Sequence, residues 1–175
     1  MPQQDTASFT HLIEDRMARS LSCCFLLLVM FSCGEQSLTT HTSSTQFKAQ
    51  QEKMDFLKRY LVNHAGLQDA EYRIDYQDNS GGGVSGPSDY DMRIALRIAP
   101  DSLAAWTNGL QRQPFTIDRG PWGALTLDSS KWRMNSSPEL YGAGREVKLV
   151  YRSEGIVLTY YGTMPLDLQP YKHAE

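Results

Sequence analysis

The sequence predicts a small α+β domain, with an antiparallel sheet of about four or more strands and one long and one short helix packed on one face. Three stretches carry this. FKAQQEKMDFLKRYLVNHAG (47–66) has a helical apolar period. AEYRIDY (70–76) and YDMRIALRI (90–98) alternate strictly, which is the mark of half-buried strands. VKLVYRSEGIVLTYYG (147–162) is a pair of alternating runs around Glu154-Gly155, the pattern of a hairpin. Helices gathered on one side of an antiparallel sheet satisfy all three.

In the first helix Phe47, Met54, Leu57 and Leu61 share a face, joined by Tyr60 and His64. Gly66 is a natural stop, and His64 suits the last turn. Tyr72, Ile74 and Tyr76 of the first strand point one way, and Glu71, Arg73 and Asp75 the other. In the second, Tyr90, Met92, Ile94, Leu96 and Ile98 oppose Asp91, Arg93 and Arg97. The two strands read as an antiparallel pair with one face on a core and one in water. PDSLAAWTNGL (100–110) supplies a short helix, with Asp101 or Ser102 to cap its start and Gly109 to end it. Residues 111–145 show little period; short strands are expected at Phe115–Ile117 and Ala124–Leu127. In the final hairpin Val147, Leu149 and Tyr151 align with Ile156, Leu158 and Tyr160 as the core side. Beyond Met164, two prolines predict irregular chain.

The N-terminal part has another character. MARSLSCCFLLLVMFSCGEQS (17–37) holds the chain's three cysteines and its longest apolar run, Leu21–Phe31. As a helix that run reaches about half the hydrocarbon thickness of a bilayer, the length of an export-signal core rather than a span. Arg19 precedes it, no acidic residue lies between Met17 and Phe31, and Ser32 stands before Cys33. The stretch resembles a bacterial lipoprotein signal peptide. Met30 and Phe31 stand where that class has a branched aliphatic and a small residue, and Ser32 fits the position next to the cysteine. The resemblance implies cleavage before Cys33, lipid on Cys33, export, and anchoring to a membrane that faces the periplasm or the cell surface. Acidic Asp5, Glu14 and Asp15 are foreign to such a signal and point to translation from Met17. The expected organisation is an N-terminal extension and signal at 1–33, a flexible tether at 34–46, one α+β domain at 47–170 and a tail at 171–175.

Beyond residue 33 the chain carries 15 basic and 17 acidic residues and no cysteine. This near-neutral balance argues against a nucleic-acid partner, which needs a concentrated positive face. Disulfides, thiolate-bound zinc and a thiol nucleophile are excluded for this part. Roughly 125 residues suffice for one ordinary core.

Few residues carry recognisable chemistry, and neither a metal nor another cofactor is expected. GGGVSG (81–86) continues into Pro87-Ser88-Asp89 instead of the lysine and hydroxyl of a phosphate loop, so it reads as a flexible strand connection. Ser88, Asp89 and Asp91 lack the ligand order of a calcium loop. His41, His64 and His173 have no metal-pair spacing, and no GxSxG elbow is present. More informative is the polar side of the sheet, where Glu71, Arg73, Asp75, Asp91, Arg93, Arg97, Lys148 and Arg152 are expected to crowd one surface. Cross-strand charge pairing is the simpler reading. The sharper one is a docking platform in which Arg73, Arg93, Arg97 and Arg152 recognise an anionic partner. Trp122 and Trp132, in loop-rich sequence, are either core plugs or contacts for a sugar or a protein; Trp106 is read as a core anchor.

The expected function is a lipid-anchored, non-enzymatic binding module of the cell envelope, of inhibitor or immunity type, meeting an envelope or secreted protein. Two alternatives stand beside it. One is an envelope hydrolase using carboxylates of the Asn79–Asp91 loop and the Asp118–Asp128 region. The other is an accessory subunit of an envelope complex, which requires a sizeable exposed apolar patch.

Overall fold

The computed structural model describes residues 38–79, 87–166 and 168, which fall within one unit, Ser37–Glu175. Cys33 and the rest of the export segment, GGGVSG and the tail at 171–175 lie outside the described residues. Among the described residues, no helix is long and apolar enough to cross a membrane.

Six strands form one antiparallel sheet: β1 (Leu38–Ser43), β2 (Leu67–Asp78), β3 (Asp89–Ile98), β4 (Glu139–Ala143), β5 (Glu146–Tyr151) and β6 (Ile156–Gly162). Their spatial order is β1-β2-β3-β6-β5-β4. The two hairpins predicted from alternation are present, and β3 pairs with β6 to join them. The fold is α+β, with more strands than the minimum of four and shorter helices than expected. α1 covers only Gln50–Lys58, and α2 Leu103–Thr107.

The shortening of α1 has a local cause. After Lys58 the chain tightens, with the amide of Tyr60 bonding to the carbonyl of Leu57 at 2.9 Å. Asn63 then accepts the Ala65 amide on Oδ1 at 2.9 Å, a side-chain turn that competes with helix. His64 Nε2 lies 3.0 Å from the carbonyls of both Lys58 and Leu61, the groups a helix end leaves open. Ser102, at the start of α2, makes no capping bond, and its hydroxyl goes to Asp101 instead.

The segment expected to be a tether contributes structure from residue 38 onward. Leu38–Ser43 is edge strand β1, and Ser44–Gln46 is a 3-10 turn. β1 ends opposite Arg73, so the first half of β2 has no strand beside it there. α1 closes this gap. Lys53, 9% exposed, sends its ammonium to Asp69 at 3.0 Å and Glu71 at 2.9 Å. Ser44 Oγ donates to Glu71 at 2.5 Å, and the buried Tyr72 hydroxyl donates to the carbonyl of Lys53 at 3.1 Å. Burial and the Glu71 charge push the Tyr72 phenol far above its ordinary range.

The sheet is buried on both faces, which corrects the expectation of one wet face. Tyr72, Ile74, Met92, Ile94, Leu96 and Ile98 meet Met54 and Leu57 of α1 and Leu103 and Trp106 of α2. On the opposite face Val147, Leu149, Tyr151, Ile156, Leu158 and Tyr160 form a second core, joined by Ala95 of β3. Its cover is not a helix but the irregular segment 111–138, which inserts Ile117, Trp122, Leu125 and Trp132. Phe115–Ile117 and Ala124–Leu127 are not strands; the one short regular piece between α2 and β4 is a 3-10 turn at Gly120–Trp122. The segment earns its place by single anchors. Trp122 donates its indole N–H to the carbonyl of Thr159 at 2.9 Å, and Glu154 accepts the amides of Asn135 and Ser136 and the Ser136 hydroxyl. Gly155, at φ +65°, lets the β5–β6 turn lie against β3, where a Cβ would stand 2.5 Å from the Ile98 carbonyl.

Lys53 offers a direct test of how α1 is held. Burial alone would lower its pKa, but the hydrogen bonds and charges of Glu71 and Asp69 outweigh that and raise it. With the folded pKa raised, the ion cluster stabilises the protein below the ordinary lysine range and loses that contribution as pH rises through the folded value. Lys53→Met leaves two adjacent carboxylates that keep some water, so the expected loss is about 1–3 kcal/mol, below that for a fully dry pair. Urea unfolding at neutral pH measures it, and the gap between wild type and variant shrinks only in strongly alkaline solution.

Candidate functional site

The helices cover only part of their face of the sheet. α1 and α2 sit over β2 and β3, while β6 and β5 continue past them. The step leaves a groove of about 480 Å³. Its floor is Met92 and Ile94 of β3. One wall is the chain leaving α1, from Tyr60 to Asn63, with Trp106 and Leu110 from α2 and its exit. The other is Thr159 and Tyr161 of β6 with Glu146 and Lys148 of β5. The wall is held in position by Trp106, whose indole N–H donates to the carbonyl of Ala65 at 2.8 Å.

The polar groups of this groove are under-used. Thr159 pairs in register with Ile94 on one side and Lys148 on the other, so its side chain stands on the groove face. It is 6% exposed, and its hydroxyl has no hydrogen-bond partner. Asn63 commits Oδ1 to the Ala65 amide, which leaves its buried Nδ2 without an acceptor. Lys148, with 12% of its side chain exposed, donates to the half-exposed Glu146 at 2.8 Å. Around these groups the rim is apolar: Tyr60, Val62 and Tyr161 are three of the five exposed large hydrophobic side chains among the described residues. A concave, largely apolar site with a few convergent polar groups is the usual form of a ligand pocket, and this volume lies in the usual range.

The residues singled out in the sequence fall elsewhere, and not together. Glu71, Arg73, Asp75, Asp91, Arg93 and Arg97 share the face opposite the helices, but Lys148 stands on the helix side and Arg152 in the β5–β6 turn. Arg73 lies directly opposite Arg93, and Asp75 opposite Asp91. Ion pairs therefore run along each strand instead of across, Arg73 to Asp75 and Arg93 to Asp91, each at 3.0 Å. A cross-strand pair links His41 of β1 to Asp75 at 2.6 Å. Burial pushes the Asp75 carboxyl up, but His41 and Arg73 outweigh it and hold it below the usual range. Arg97 bonds to the carbonyl of Lys131 and lies over the Trp132 ring at 5.3 Å, so it fastens the 111–138 segment to β3. Arg152 bonds to Glu139 at 2.6 Å and to the Tyr141 hydroxyl at 2.7 Å. Trp122 and Trp132 are 2% and 3% exposed, members of the second core.

The carboxylates of the hydrolase alternative are engaged separately. Asp118 accepts the Gly120 amide, and Asp128 accepts the amide and hydroxyl of Ser130. Asp89 accepts from Thr163 and Asn79. A recess of about 310 Å³ holds Lys53, Asp69, Glu71 and Asp128, but Lys53 already bridges Asp69 and Glu71. Among the described residues there is no cluster of three or more histidine, cysteine or acidic side chains placed to hold a metal. Protein-family models, curated proteins and solved structures were compared with the chain, and none matches.

Sequence reasoning passed over the groove because its residues sit in unlike settings. Lys148 and Thr159 were legible as polar positions within apolar hairpin strands, and that interruption is the one signal available. Asn63, Tyr60 and Val62 come from a helix exit whose place depends on where α1 stops. With Trp106, Trp122 and Trp132 all at or below 4% exposure, acrylamide is expected to quench the native emission weakly, with a large gain on unfolding. Efficient quenching of a native fraction would restore a tryptophan contact surface.

Proposed function

We propose that this chain is a non-enzymatic binding module, exported and anchored through lipid on Cys33, and that it holds its ligand or partner in the groove beside α1 and α2. One observation carries the binding role. Three exposed large apolar side chains and two unpartnered buried polar groups converge on a single concavity. Exposed apolar surface and unsatisfied donors both disfavour the free state, and an occupant relieves both. The arginine face is the weaker candidate: Asp91 Oδ1 and Arg93 Nε are buried there without a partner, but three of the five exposed large apolar side chains among the described residues lie at the groove. The export proposal rests on the Leu21–Phe31 run, Ser32 and Cys33. A partner in the envelope or the surrounding fluid follows from that address, and an inhibitor or immunity role is the form it takes if the partner is a protein.

The address is tested by the intact mass of the N-terminal peptide from membranes of cells expressing the gene from its own start. A lipid-modified peptide beginning at Cys33 is expected; an unmodified N-terminus at Met1 removes the anchor. The site is tested by comparing Val62→Asp with Arg73→Ala in capture of partners from envelope extracts. Val62 is fully exposed, so its replacement by a charge leaves the fold intact and is expected to abolish capture. Arg73→Ala is expected to retain it. The reverse result moves the site to the arginine face.

A further inference from the structure

We infer that the groove takes an apolar chain or ring that ends in a carboxylate, with the acid seated at Lys148 and Thr159 and the apolar body over Met92, Ile94 and Trp106. The inference rests on the proposal that the groove is the binding site, and it adds the chemistry of the occupant.

The argument begins with donors. An ammonium has three N–H bonds and no acceptor. Lys148 gives one of them to Glu146 at 2.8 Å. Beside it in register is the Thr159 hydroxyl, buried and without a partner. The buried Nδ2 of Asn63 is a third group in the same concavity that has a proton to give and no acceptor. The unmet demand is therefore for acceptors. A carboxylate is acceptor-only, with about four lone-pair sites, so it can take the two N–H bonds that Lys148 does not give to Glu146 together with the neighbouring donors. Glu146 does not fill this role for the others, since its described bond is to Lys148 and it lies toward the rim.

The rest of the groove sets the body of the ligand. Met92, Ile94, Trp106 and Leu110 give an apolar floor and wall with no further charge among the residues that line them. A strongly polar body would be stripped of water there without compensation. Two sources share this chemistry. One is a fatty acid of medium length, which fits an address at a lipid surface. The other is the C-terminal carboxylate of a peptide that ends in an apolar residue.

The experiment uses the full chain and follows groove amides by NMR during titration with four probes: decanoate below its micelle concentration, 1-decanol, N-acetylphenylalanine and N-acetylphenylalanine amide. Saturable shifts at Asn63, Lys148 and Thr159 are expected with decanoate or N-acetylphenylalanine, and whichever binds more tightly identifies the source. The neutral counterpart is expected to bind at least tenfold more weakly. Lys148→Met, which leaves only a solvated Glu146 behind, is expected to abolish that preference, and Thr159→Val to weaken the acid several-fold. If alcohol and amide bind as well as their acids, the carboxylate assignment is overturned while the groove stands as an apolar site. If no probe shifts groove residues, the inference falls, and the Val62→Asp capture experiment decides separately whether the groove binds anything.

Discussion

The pairing of β3 with β6 governs this fold. It joins two hairpins that are distant in sequence, and it does so in a register that sets Ala95 against Leu158 and Ile94 against Thr159. The apolar rows of the two hairpins consequently lie on opposite faces of one sheet. In β2 and β3 the large apolar side chains point toward the helices; in β5 and β6 most point away, while Val150 and Val157 join the helix-side core. A sheet built this way cannot be stabilised by a single covering layer. One half takes α1 and α2, and the other takes the tryptophan-bearing segment 111–138. The two covers meet the sheet on opposite sides, so each leaves a strip of its own face open beyond the β3–β6 seam. On the helix side that strip is the groove. On the other side it is the charged part of β2 and β3.

These two open strips differ in kind. The charged strip is largely paired within itself: Arg73 and Arg93 reach carboxylates along their own strands and Arg97 reaches a carbonyl, although Asp91 Oδ1 and Arg93 Nε are buried there without a partner. Such partly exposed pairs contribute little individually. The groove strip does not resolve itself. Thr159 and Asn63 keep unmatched polar atoms at buried positions, each of which costs on the order of 1–3 kcal/mol relative to a satisfied group. The groove keeps those atoms beside an apolar rim, and this combination is what supports the binding role proposed for it.

Much of the architecture was legible in the chain, and the failures share a cause. β2, β3, β5 and β6 were readable because strict alternation reports a strand whichever way it faces. What alternation cannot report is whether two hairpins present their apolar rows to the same side, because that is fixed by the register between β3 and β6. The single wet face was therefore wrong, and with it the placement of Lys148 beside the arginines. β1 was hidden because LTTHTS has no apolar period; it is held by ladder bonds and by His41 on Asp75, which exist only once β2 is in place. Segment 111–138 was hidden because its burial depends on isolated side chains such as Trp122 and Trp132, with no repeat to announce them.

The same reasoning separates the two kinds of conspicuous residue. Arginine and tryptophan stand out in a sequence because they are chemically strong, yet here their strength is absorbed in building the molecule: Arg97 pins a loop, Arg152 ties a turn to β4, and Trp122 bonds the back of β6. Trp122 in fact reaches the carbonyl of Thr159, whose side chain faces the groove on the far side of the sheet. One residue of β6 thus carries the anchor of the loop layer on its backbone and an unpartnered hydroxyl toward the groove. The β6 wall of the groove is therefore fixed by the packing of the opposite core. For the ligand proposed above, a wall already held in place would leave less ordering to oppose binding.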